Sequence, residues 1–132
     1  MNSILKQFIK HLTVGENEVV LLDMEAGVEH FGRGVDNSVD LILMIVDPSF
    51  ESLKLTKKIQ QLGESIGKTV FFVLNKVNGQ ILPTMLESID DQSKVLAVIS
   101  TDTEIARKGL LGDELMMEIP EIHTLARKIL KQ

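Results

Sequence analysis

The stretch Val19-Val20-Leu21-Leu22-Asp23-Met24-Glu25-Ala26-Gly27 carries the pattern that decides the architecture. A continuous apolar run closed by an acid does not alternate between a dry and a wet face. It predicts a strand buried on both sides, as in parallel sheets. The same shape recurs over residues 41–47, 69–75 and 95–100. The runs stop at Asp23, Asp47, Asn75 and Ser100, so polar groups converge at the carboxyl ends of the strands. In open α/β sheets that is where ligands bind.

Between the runs the apolar spacing becomes helical. Residues 1–13 place Ile4, Leu5, Phe8, Ile9 and Leu12 on one face, with Asn2 or Ser3 as cap. Ser49 caps a helix carrying Leu53, Ile59, Leu62 and Ile66, which Gly67 stops. A shorter helix surrounds Pro83, and Asp102 caps another that ends at Gly109. Pro120 opens the last helix, with Ile122, Leu125, Ala126, Ile129 and Leu130 facing inward. Strands alternating with amphipathic helices predict an α/β fold in three layers, a parallel sheet with helices on both faces, over a single domain of residues 1–132.

Composition narrows the function. The chain has no Cys, which excludes disulfides, thiolate metal sites and cysteine nucleophiles. A formal charge of −5 with scattered basic residues gives no stripe for nucleic acid. No apolar run approaches the roughly 20 residues a membrane span needs. The expected location is the cytoplasm, with neither nucleic acid nor membrane as partner.

Read further, the opening stretch becomes Asp23-Met24-Glu25-Ala26-Gly27-Val28-Glu29-His30-Phe31-Gly32-Arg33-Gly34. This string resembles the switch region of the carbon monoxide dehydrogenase accessory (nickel-insertion) ATPases, members of the nitrogenase iron protein/MinD-like P-loop NTPase superfamily. Asp-x-x-Ala-Gly is shared across that group, and Glu-His-x-Gly-Arg-Gly narrows it to the nickel-insertion members. The likeness continues through Val46-Asp47-Pro48-Ser49 and Leu74-Asn75-Lys76-Val77. It implies ATP or ADP with magnesium, Asp23 holding the metal through a water, and the Gly27 amide approaching a γ-phosphate. It further implies that Asn75, Lys76 and Asp102 bind the nucleotide, Asn75 at adenine. Asn78 stands where a guanine reader needs Asp, so guanine is disfavoured. Taken alone, Asn75 is a strand terminator, and Asp102 a helix cap.

The chain departs from the family in lacking any Gly-x-x-x-x-Gly-Lys-[Ser/Thr] phosphate loop and any Cys-x-Cys pair. It therefore reads as the C-terminal portion of the family domain without the phosphate-loop strand. ATP hydrolysis by the chain alone is not expected. The alternative is a non-catalytic oligomerisation or docking module, partnered by a second copy, a full-length relative or a metalloenzyme client. A response-regulator receiver, suggested by Asp47 and Lys76, lacks the acidic pair after its first strand. His30 and Arg33 stabilise their surroundings or face a partner, Met116-Met117 is core or interface, and Asp90-Asp91 ends a surface helix. With the phosphate-loop strand gone, residues 19–23 are expected to pair directly with 41–46, or a second copy to supply that pairing.

Overall fold

The computed structural model describes residues 7–8, 11–24 and 39–132. Three parallel strands, β1 (Ile42–Val46), β2 (Val70–Val77) and β3 (Val95–Ser100), lie side by side in that order. Met44 is in register with Phe72, and Phe72 with Val95. Every residue of β2 from Val70 to Leu74 is buried, as a central parallel strand requires.

α1 (Phe50–Ser65) joins β1 to β2. Its cap is Ser49, whose Oγ accepts from the Ser52 N–H at 3.2 Å. Gly67, at φ +68°, turns the chain out of the helix. α2 (Leu82–Glu87) and a single turn at Gln92–Lys94 join β2 to β3. Here Thr56 is fully buried, and its hydroxyl lies 2.7 Å from the Leu53 carbonyl and 2.8 Å from that of Ser88, tying α1 to the end of α2. α3 (Thr103–Leu111) and α4 (Pro120–Ile129) complete the described elements.

Side chains alternate across the sheet. Met44, Val46, Phe72 and Leu74 meet Ile59 of α1 with Met85 and Ile89 on one face. Phe71, Val73 and Leu96 meet Leu125 of α4 on the other. Helices thus lie on both faces, as the sequence predicts. The second layer is thinner. Beneath β1, Leu43 is only half-buried and Ile45 remains 51% exposed.

Several expectations are corrected. Residues 19–23 form no strand; Val19, Val20 and Leu21 are 58%, 47% and 83% exposed. A strand exists only beside a partner that takes up its N–H and C=O groups, and β1 pairs on the β2 side alone among the described residues. The direct pairing of 19–23 with 41–46 is therefore not made. Phe8, on the apolar face read for residues 1–13, is 60% exposed, and most of that helix lies outside the described residues. α3 runs through Gly109 and stops at Gly112, whose φ of +71° forms the left-handed cap that Gly109 does not supply. On α4 only Leu125 is buried, while Ile122 and Leu130 are 43% and 69% exposed, because that helix touches the sheet mainly along β3.

Candidate functional site

The carboxyl ends of β1 and β2 meet at Asp47. Its backbone N–H donates to Ser52 Oγ at 3.1 Å, which holds the strand end against the start of α1. Its carboxylate is gripped twice. Asn75 Nδ2 donates to Oδ1 at 2.8 Å, and Lys76 Nζ to Oδ2 at 2.6 Å. The pair is partly exposed, 62% at Lys76 and 41% at Asp47, so its net stabilisation is small. Its effect on protonation is clear. The Lys76 hydrogen bond holds the Asp47 pKa below the usual carboxylate value against partial desolvation, and the Asn75 amide adds to the lowering.

Consecutive residues of a regular strand point to opposite faces, so Asn75 and Lys76 reach one carboxylate only because the backbone breaks step. Leu74 is level with Val98 and Val77 with Ser100, so β2 spends one residue more than β3 over this interval. Lys76 adopts φ +54°, and it is the sole non-glycine residue at positive φ among those described. Such a conformation costs roughly 1–2 kcal/mol in an L-residue. The Thr101 N–H donates to the Val77 carbonyl at 2.9 Å and closes the bulge against the end of β3.

Beyond β3 lies an open depression of about 230 Å³, lined by Ser100, Thr101, Asp102, Ile105, Met117 and Pro120 among others. It is smaller than the roughly 300–1,000 Å³ of typical ligand pockets. Asp102 Oδ1 accepts from the N–H groups of Glu104 and Ile105 at 2.8 and 3.0 Å, so this residue caps α3 at the rim of the depression. Asp102→Ala is expected to cost about 1 kcal/mol, the usual worth of such a cap. Because α3 has few contacts with the sheet, the loss should appear as faster amide exchange within Thr103–Leu111 rather than as global unfolding.

Asp23 is exposed, and no hydrogen bond or ion pair engages it among the described residues. Gly27, His30 and Arg33 lie outside the described residues. Magnesium calls for several oxygen ligands around one point, and no group of three or more His, Asp or Glu residues is so placed among the described residues. These residues alone do not fit the metal. Met116 is 78% exposed and Met117 half-buried at the depression. Asp91 caps the Gln92–Lys94 turn through Ser93, while Asp90 lies 3.8 Å from Lys57. Sequence reasoning placed Asp47 at a strand end but did not assign it to the site. The signal was present, since Asp47 closes one apolar run as Asn75 closes the next.

A parallel sheet between helical layers, with polar groups at its carboxyl edge, is a P-loop NTPase-like α/β arrangement. No family model matches the chain. An uncharacterised ATP-binding protein of Methanocaldococcus jannaschii is 44% identical over 131 residues, 99% of this chain and 52% of that protein. A second from the same organism is 32% identical over 118 residues, covering 87% of this chain and 46% of its own length. The carbon monoxide dehydrogenase accessory protein CooC of Rhodospirillum rubrum is 32% identical over 112 residues, 84% of this chain and 43% of its own. The chain spans about half the length of the curated relatives it matches. It is a homologue of these ATP-binding proteins and of CooC.

Proposed function

We propose that this chain is the base-side portion of a CooC-type nucleotide-binding ATPase acting in metal-cluster maturation, and that it hydrolyses ATP only when a phosphate-loop segment is supplied. The carrying observation is the Asp47–Asn75–Lys76 cluster at the strand ends, in a chain 44% identical to an ATP-binding protein and without a phosphate-loop string. On this reading the base contacts come from Asn75 and the rim of the β3 depression. Asp23 and Gly27 serve the phosphate and magnesium side once the missing loop is present. Phosphoryl transfer depends on positive charge and aligned amides around the β- and γ-phosphates, and this sequence supplies no such loop. A cytoplasmic setting, a nickel-inserting role and a metalloenzyme client belong to the same proposal.

Steady-state phosphate release with magnesium and ATP tests it. The chain alone should show no turnover, and turnover should appear on adding the phosphate-loop half of a relative. Turnover by the chain alone that vanishes in Asp23→Asn would refute the reading.

A second reading, a non-catalytic docking or homodimerising module, is favoured by the outer edge of β1, which no described residue pairs, and by Ile45, Leu110 and Met116, exposed at 51%, 85% and 78%. Sedimentation separates the two. A dimer that persists after the phosphate-loop half is added, with no turnover, supports the module.

A further inference from the structure

The amide of Asn75 has two faces with opposite hydrogen-bonding sense, an NH2 that donates and a carbonyl that accepts. Which face meets a ligand depends on what holds the other. An ionised carboxylate can only accept, so the group 2.8 Å from Asp47 Oδ1 is the NH2. Lys76 Nζ, at 2.6 Å from Oδ2, keeps that carboxylate charged and fixes its plane. The orientation of Asn75 is thus set by chemistry and not by a free rotation. Its Oδ1 takes no hydrogen bond from any described residue. Asn75 is half-buried at the strand ends, and no described residue competes for that oxygen, which leaves it for an incoming donor.

We infer that Asp47 is a specificity-determining residue: by holding the NH2 of Asn75 it turns Oδ1 outward as a fixed acceptor, and the site takes a purine with an exocyclic amine at C6 while rejecting one with a carbonyl there. The inference rests on the nucleotide reading above and goes one step beyond it. An amine donates to Oδ1. A carbonyl oxygen brought to the same place faces a like dipole and leaves two acceptors unpaired. One well-placed hydrogen bond against such a mismatch amounts to roughly tenfold in affinity or more. Asp47 touches no ligand itself in this scheme; it is a positioning residue.

The test is an NMR titration of the 15N-labelled chain with ADP and with IDP, whose bases differ in the amine or carbonyl at C6 and in the N1 proton that accompanies the carbonyl. The wild-type chain should bind ADP about tenfold more tightly than IDP. In Asp47→Ala the ratio should fall toward one, and in Asp47→Asn, whose amide can present either face to Asn75, it should fall part of the way. The Asn75 side-chain NH2 resonances of the nucleotide-free protein should move in Asp47→Ala, which a merely structural loss elsewhere would not produce. Equal binding of ADP and IDP by the wild-type chain overturns the inference and leaves the nucleotide site standing. Binding of neither overturns both. Preference for ADP that survives intact in folded Asp47→Ala shows that something other than Asp47 orients Asn75, and overturns the inference as well.

Discussion

Phe72→Ala is expected to lower stability by about 3–5 kcal/mol, the usual range for deleting a buried phenyl ring. Phe72 is fully buried at the centre of β2, between Met44 on one neighbouring strand and Val95 on the other. Its ring belongs to the apolar cluster that α1 and α2 cover, together with Leu74, Ile59 and Met85. Removing it leaves a void between the sheet and the helices, flanked by Met44 and Val95. The measurement is the urea midpoint with the slope compared to wild type. Leu110→Ala is the control. Leu110 is 85% exposed, and its truncation should stay within about 0.5 kcal/mol. Equal losses for the two variants would mean that the sheet does not carry the core.

Gly63→Val is the second large effect, expected near 3 kcal/mol or above, with Gly63→Ala smaller but of the same sign. Glycine inside a helix ordinarily gives up about 0.5–1 kcal/mol relative to alanine, so on propensity alone Ala should stabilise α1. Space decides the other way. A Cβ at Gly63 would sit 2.4 Å from Val70 Cγ2 and 2.9 Å from the Lys68 carbonyl oxygen. Val70 could shift its methyl only within a buried strand, and the Lys68 oxygen is backbone. Moreover the Gly63 carbonyl accepts from the Lys68 N–H at 2.8 Å, so the turn that delivers β2 is built against this position. Thermal or urea unfolding of the Ala and Val variants gives the order. A more stable Ala variant would show that the α1–β2 approach is looser than described.

The legibility of the chain followed the range of the interactions involved. Residues 70–74 read as a doubly buried strand because each position must be apolar when both faces are covered, and all are buried. Ser49, Asp102 and Pro120 were readable as helix starts because caps act within one turn. Residues 19–23 carry the same apolar signature, yet it says only that burial is wanted. Whether a neighbouring strand is there to provide it is not a local property, and among the described residues none is. The site divides the same way. The Asn75-Lys76 string stood out as a motif, whereas its link to Asp47 depends on an extra residue in β2 and on a left-handed Lys76. Neither Gly nor Asn marks that turn, so nothing in the spacing announced it.

The backbone at Lys76 also sets which residues the position will tolerate. With φ at +54°, a branched Cβ is excluded, so Val, Ile and Thr are barred on steric grounds alone. Glycine would relax the peptide but strip the cation from Asp47, and asparagine would accept the left-handed turn while offering a neutral donor on a stem too short to replace the ammonium. Only a long, unbranched, positively charged side chain meets both demands. The position therefore answers two independent physical demands, one on shape and one on charge, and lysine and arginine are the residues that meet both.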